Sequence, residues 1–112
     1  MDPKPFYISN SLFYAHSTGN IELSYSSGQI NNTQFTNYVD EPIISPFPAI
    51  ETLSSNIDLN ISNSKFVGYK RGGHDWGYND GGAIWFRVAN IVHVYNCIFS
   101  DNTAITGGAI SI

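Results

Sequence analysis

Apolar and polar residues alternate along short stretches of the chain, and the alternation shifts by one residue at an asparagine. In residues 58–62, Leu59 and Ile61 alternate with polar residues, a period of two that is typical of a β-strand. Beyond Asn63 the apolar phase is displaced by one position and reaches Phe66. Such a slip within one continuous strand would exchange its two faces. Because asparagine tolerates the left-handed conformation of a tight corner, the pattern predicts two short strands that meet at Asn63.

The same hexapeptide pattern occurs four times, which indicates a repeat architecture. Each copy reads [Ile/Val]-x-Asn-[Ser/Thr/Cys]-x-Phe, and the copies begin at Ile8, Ile30, Ile61 and Val94. When the copies are stacked, the corner residues form a row of amides that can hydrogen-bond along the stack: Asn10, Asn32, Asn63 and Asn96. A second row is aromatic: Phe13, Phe35, Phe66 and Phe99.

This stacking predicts an all-β fold, a right-handed parallel β-helix of about four coils. The expected coils form one segment of a longer solenoid and cover residues 6–29, 30–60, 61–93 and 94–112. An antiparallel sandwich is the competing fold. It gives no reason for one hexapeptide to recur at matching positions, so the repeat favours the solenoid.

A glycine-rich pattern begins a further strand after the phenylalanines. It is clearest at Gly81–Ile84 and Gly107–Ile110, with weaker relatives around Ile21 and Ile50. Paired glycines permit a tight corner, and an alternating strand follows them. The connection between each phenylalanine and this strand varies most in length, and solenoids accept insertions at such a corner.

Two of these motifs together resemble a known repeat. Phe99–Asn102 fits FxxN, Gly107–Ile110 fits GGA[ILV], and Gly81–Ile84 is a second copy of the glycine motif. The pair is similar to the repeat of the chlamydial polymorphic outer-membrane proteins, within the broader pectin-lyase-like β-helix group. Phe35 and Phe66 depart from the pattern because neither is followed by asparagine at the fourth position.

The resemblance implies a β-helical region that is displayed at the cell surface, on the outer membrane or outside the cell, and that is associated with adhesion. The expected partners are a host or cell-surface protein or glycan, together with further coils of the same protein. A net charge of −4 argues against nucleic acid as a partner. The chain contains no apolar run long enough to span a membrane, and its start lacks the apolar core of a signal peptide.

The longest insertion, residues 69–80, is the candidate ligand-binding loop. It combines cations, carboxylates, aromatic rings and glycines, and its candidate binding residues are Arg71, His74, Asp75, Trp76, Tyr78 and Asp80. The aromatic rings would stack on a sugar or peptide, and the charged groups would hydrogen-bond to it. The alternative is a polar loop whose Trp76 packs on the flank of the solenoid. The proline-rich residues 41–48 predict a second lateral loop.

Evidence for catalysis is weak, and no cofactor or metal is expected. Asp75 and Asp80 share one loop, and their spacing does not place them on opposite sides of a glycosidic bond. No acidic cluster on neighbouring coils matches Arg87, the histidines fall at unrelated coil positions, and Cys97 occupies a row of small interior residues. The leading hypothesis is therefore a structural surface region that mediates adhesion or interaction through lateral loops. The alternative is a carbohydrate-binding or polysaccharide-degrading β-helix similar to pectate lyases, which requires an acidic groove bearing Arg or Lys.

Overall fold

The computed structural model describes residues 4–15, 21–24, 26–37, 48–53, 57–70, 82–87, 91–104 and 107–112. Within these ranges the chain passes four times through the same three-strand coil. The first coil contains β1 (Lys4–Ser9), β2 (Leu12–Ala15) and β3 (Ile21–Leu23). The second contains β4 (Ser26–Asn31), β5 (Gln34–Asn37) and β6 (Ile50–Thr52). The third contains β7 (Asp58–Ser62), β8 (Lys65–Val67) and β9 (Ile84–Phe86). The fourth contains β10 (Ile91–Tyr95), β11 (Ile98–Ser100) and β12 (Ile110–Ser111).

Equivalent strands of successive coils pair in parallel and form three four-stranded sheets. The first sheet has the order β1-β4-β7-β10, the second β2-β5-β8-β11 and the third β3-β6-β9-β12. The prediction of a parallel β-helix of about four coils is confirmed. The hexapeptide spans the corner between the first and second sheets, and the strand after the glycine motif belongs to the third.

The registers place like residues on like residues, as the repeat predicts. One row of the first sheet is Ile8, Ile30, Ile61 and Val94. The aromatic row of the second sheet is Phe13, Phe35, Phe66 and Phe99. The third sheet contributes a second aliphatic row, Ile21, Ile50, Ile84 and Ile110. Each sheet therefore sends apolar side chains into a shared core.

Burial is greatest in the two middle coils, where each side chain has a coil on both sides. Ile30, Ile61 and Phe66 are fully buried, whereas Phe13 in the first coil is 36% exposed. Successive phenylalanine rings stack almost in parallel, with centroids 4.9, 4.7 and 5.0 Å apart along the row. These separations lie within the range for offset aromatic stacking, so the rings add a directional contact to the burial of apolar area.

Among the described residues outside the strands, Tyr69 is the largest buried side chain, and it lies in the connection between β8 and β9. It is 2% exposed, and burial raises the pKa of its phenol well above the usual value. The raised pKa means that the folded state holds the phenolic proton at a pH where the unfolded chain has released it. The burial of Tyr69 therefore couples folding to alkaline pH.

We expect the unfolding free energy to decrease as the pH rises above about 10, the pKa of an unperturbed tyrosine. In that range the unfolded state binds fewer protons than the folded state, which costs up to about 1.4 kcal/mol per pH unit. Urea melts between pH 9 and pH 11 measure this slope. The Tyr69→Phe variant should lack the tyrosine contribution, and equal slopes in the two proteins would contradict the assignment.

Candidate functional site

The predicted ligand-binding residues of the long loop fall outside the described part of the chain: Arg71, His74, Asp75, Trp76, Tyr78 and Asp80. The same holds for residues 41–47 of the proline-rich segment. The described residues that flank both segments lie in connections between the second and third sheets, at residues 38–49 and 68–83. The corresponding connections in the other two coils are residues 16–20 and 101–109. Length variation is therefore concentrated at one corner of the solenoid.

The corner between the first and second sheets is the opposite case, because its length is constant. Its asparagines all have positive φ, with values of 51° at Asn10, 50° at Asn32, 51° at Asn63 and 53° at Asn96. In this left-handed region asparagine is tolerated because its short polar side chain can hydrogen-bond locally, whereas other residues with a Cβ are strained. Conformation thus restricts this position to residues that tolerate positive φ, and asparagine is such a residue in every coil.

We expect Asn63→Ala to lower the unfolding free energy by about 1 kcal/mol, because alanine lacks the local hydrogen bonds by which asparagine offsets part of the cost of a left-handed conformation. Asn63→Gly should cost much less, since glycine adopts positive φ freely. Thermal melts of both variants separate the conformational cost from the loss of the side chain. An alanine variant as stable as the glycine variant would show that φ does not select the residue.

The amide row is not one continuous chain of asparagine-to-asparagine hydrogen bonds. Asn32 Nδ2 donates to Asn10 Oδ1 at 2.6 Å, as the sequence predicted for stacked amides. Asn63 Nδ2 instead donates to Asn31 Oδ1 at 3.0 Å, and the same oxygen accepts the hydroxyl of Ser62 at 3.0 Å. The change of partner leaves part of the hydrogen-bonding capacity of the corner amides unused.

The asparagine of the FxxN motif connects two coils. Asn102 Oδ1 accepts the backbone N–H of Tyr69 at 2.9 Å, and Asn102 Nδ2 donates to the carbonyl oxygen of Phe66 at 3.0 Å. One side chain of the fourth coil therefore satisfies two backbone groups, one in β8 and one in the turn that follows it. Because unpaired buried backbone groups are costly, this position favours asparagine for a structural reason.

The glycine motif permits a close approach of backbones. Gly107 has a positive φ of 63°, and a Cβ added at Gly82 would overlap the carbonyl oxygen of Gly108. Ala83, which follows Gly82, is fully buried, and its N–H donates to the Ala109 carbonyl at 2.9 Å. The small residues of this motif therefore set the contact between the third and fourth coils.

A charged cluster on the third sheet was missed by the sequence reasoning. Arg87 Nη1 lies 3.5 Å from Glu51 Oε1, and the guanidinium carbon lies 4.8 Å from the centre of the Trp85 ring. Register places a single acidic residue, Glu51, on the adjacent strand, opposite Trp85, and the sequence pattern had not paired it with Arg87. Glu22 occupies the same row one coil earlier. The salt bridge joins the second and third coils, and the cation–π contact lies within the third coil.

The remaining reactive groups show no arranged chemistry in the described ranges. No group of three or more His, Cys, Asp or Glu residues converges there as a metal site would require. His93 is exposed on the first sheet, and burial raises the pKa of the Cys97 thiol. Cys97 Sγ lies 3.3 Å from the Tyr95 carbonyl oxygen, in the position held by hydroxyls in the other coils. A less acidic thiol in this setting is a poor nucleophile.

Within the described residues, no helix is long and apolar enough to cross a membrane.

Comparison with known proteins identifies the repeat. Residues 96–112 match the family described as the Chlamydia polymorphic membrane protein repeat. The match begins at the corner Asn96 and contains the complete pair of FxxN and glycine motifs. No curated protein and no solved structure matches the chain significantly. The resemblance expected from the motifs is therefore confirmed for these residues.

Proposed function

We propose that the chain is a surface-displayed β-helical repeat region that mediates adhesion or interaction through its lateral connections. The proposal starts from the match of residues 96–112 to the polymorphic membrane protein repeat. The family name places such repeats in membrane proteins of Chlamydia, which supports display at the cell surface or on the outer membrane. The proposed partners are a host or cell-surface protein or glycan, and the coil ends would stack onto further coils of the same protein.

One observation carries the role of the lateral connections. The motif side chains are used within the fold, because Phe99 stacks on Phe66 and Asn102 binds the backbone of the preceding coil. A partner cannot contact these groups without displacing internal contacts. The connections between the second and third sheets differ in length and sequence from coil to coil, and variable loops on a fixed scaffold are the usual carriers of recognition.

Exchange of the loop tests the proposal. Residues 71–80 are replaced by a glycine–serine linker of equal length, and binding of the purified chain to cultured host cells is measured by flow cytometry. We expect cell binding to fall at least tenfold while the thermal melt stays close to that of the unmodified chain. The same replacement of residues 41–47 measures how much of the cell binding depends on the second loop.

The matched control is Gln29→Ala, a change at an exposed position on the first sheet that should leave cell binding intact. Undiminished binding by a chain that has lost both loops, with its fold retained, would refute the role of the lateral connections.

A polysaccharide-degrading role has less support. Its requirement is an acidic groove with a basic residue, and the described candidate is Glu51 beside Arg87. That carboxylate is 7% exposed and engaged by the arginine, whereas glycoside cleavage needs two carboxylates that reach one bond from opposite sides. Release of unsaturated sugars from pectate by the purified chain would reverse this ranking.

A further inference from the structure

The corner between the first and second sheets carries a shallow groove of about 400 Å³ that the proposed function does not use. It crosses three coils, and the residues that matter to its chemistry are Asn10, Leu12, Asn32, Gln34, Asn63 and Lys65. All six side chains are exposed. We call this feature the corner groove.

The amides of the corner groove have spare hydrogen-bonding capacity. Asn32 donates to Asn10 and Asn63 donates to Asn31. Within the described part of the chain, the Asn10 amide nitrogen and the amide oxygens of Asn32 and Asn63 have no further partner. The Asn10 amide nitrogen and the amide oxygens of Asn32 and Asn63 are thus unused, and Asn32 and Asn63 each keep a second N–H, so donors and acceptors are available along the groove at intervals of one coil.

The charge of the corner groove is low. Lys65 is the one charged residue among those that line it, whereas Glu22, Glu51 and Arg87 lie on the third sheet. Beside the amides, Leu12 is 63% exposed and offers an apolar surface. Uncharged donors and acceptors next to an aliphatic side chain match a sugar ring, which has hydroxyl groups at its edge and C–H groups on its faces.

The spacing of the coils decides between two kinds of extended ligand. Stacked phenylalanines, one per coil, are 4.7–5.0 Å apart, so the corner amides recur at about the same interval. An extended peptide advances by about 3.3 Å per residue and would present a different backbone group to each asparagine. A sugar in an extended β-linked chain advances by a length close to the coil spacing, so one ring would lie at each corner asparagine. Successive rings are turned over, but both edges of each ring carry groups that can donate and accept hydrogen bonds.

We infer that the corner groove binds a neutral, extended β-linked oligosaccharide that lies along the helix axis, with one sugar ring per coil. Its hydroxyl or acetamido groups pair with the free amide groups of Asn10, Asn32 and Asn63, and one ring face rests on Leu12. This site goes beyond the proposed function, since the lateral connections take no part in it. We infer binding alone, since the described residues that line the groove offer amides, hydroxyls, an aliphatic side chain and one lysine.

The experiment is a titration of the ¹⁵N-labelled chain with chitotetraose and with cellotetraose, followed by NMR of the asparagine side-chain amides. Tetragalacturonate serves as the acidic probe, and an uncharged tetrapeptide rich in serine and asparagine serves as the peptide probe. We expect one of the neutral tetrasaccharides to shift the amide signals of Asn10, Asn32 and Asn63 in a saturable manner.

Two variants and a matched control test the location. Asn32→Gly and Asn63→Gly remove an amide from the groove at positions where positive φ suits glycine, so the fold is kept, and each should weaken binding at least tenfold. Asn96→Gly makes the same change at the same corner, one coil beyond the groove, and should weaken binding far less than either groove variant.

Each alternative outcome contradicts the inference. If neither neutral tetrasaccharide shifts the amides at millimolar concentration, the groove does not bind glycans of this class. Equal weakening by Asn96→Gly would place the site elsewhere. Stronger binding of tetragalacturonate that depends on Lys65 would identify an acidic ligand, and saturable binding of the peptide alone would identify a protein partner. Loss of cell binding on loop exchange leaves all these readouts unchanged, so the two proposals fail separately.

Discussion

Replacement of Phe66 by alanine is expected to lower the unfolding free energy by about 3–5 kcal/mol, the usual cost of emptying a buried phenylalanine position. Phe66 is fully buried and stacks on a ring at each side, 4.7 Å from Phe35 and 5.0 Å from Phe99. The cavity left by alanine is enclosed by two coils that are fixed by their own strand pairing. The site therefore has little freedom to collapse, which places the cost at the upper end of the range.

Chemical denaturation followed by circular dichroism measures the loss, and Phe66→Leu keeps the test valid if the alanine variant does not fold. Phe13→Ala is the matched control, because Phe13 is 36% exposed and stacks on Phe35 alone. We expect its cost to be less than half that of the Phe66 change. Equal costs at the two positions, or an unshifted melt for Phe66→Ala, would mean that the stacked row does not support the core.

The sequence could predict the row of stacked phenylalanines because every coil contains the same corner at an asparagine. The phase slip at each asparagine forces a corner, and a corner at a fixed distance from a phenylalanine places that ring on its equivalent in the next coil. Such an inference needs no knowledge of distant contacts. The same reasoning located the strand that follows the glycine motif, whose row of isoleucines appears in the third sheet.

Contacts that join degenerate coils could not be predicted in this way. Asn102 hydrogen-bonds to backbone groups of Phe66 and Tyr69. Every residue has such backbone groups, so the sequence does not indicate which of them Asn102 contacts. Glu51 lies beside Arg87 because of the register between β6 and β9. Connections of different length precede these two strands, so the sequence does not give their register. The partner of Asn63 is likewise Asn31 rather than Asn32, a choice between adjacent amides that no repeat pattern specifies.

The corner groove illustrates why a structural assignment does not exclude a binding role. The sequence assigned the corner asparagines to the fold, and their positive φ values give that assignment a physical basis. Conformation, however, requires only a residue that tolerates positive φ, and glycine would serve as well. The amide groups that glycine lacks are the ones that line the groove. Their chemistry is therefore available for a ligand at little cost to the fold.

Replacement of Gly82 by alanine is expected to cost about 3 kcal/mol, at the upper end of the range for overpacked interiors. A Cβ at this position would overlap the carbonyl oxygen of Gly108 and lie 3.0 Å from the carbonyl oxygen of Thr103. Both obstacles are backbone atoms of the fourth coil, so no side chain can rotate away. Relief requires the fourth coil to move from the third, which would weaken the hydrogen bond from Gly82 N–H to the Gly107 carbonyl oxygen at 3.1 Å.

Gly108→Ala is the matched control, because Gly108 holds the same place in the glycine motif of the fourth coil. The nearest atom to a Cβ there is the carbonyl oxygen of Asn102 at 3.7 Å, an ordinary contact. Alanine at this position should be neutral or stabilise the chain by up to about 1 kcal/mol, since it restricts the unfolded state. Thermal melts of the two variants give the comparison directly. If both variants lose the same stability, the motif requires glycine at this place regardless of the coil that packs on it. A large loss of stability for Gly82→Ala alone would show that glycine is needed there because the next coil packs against it.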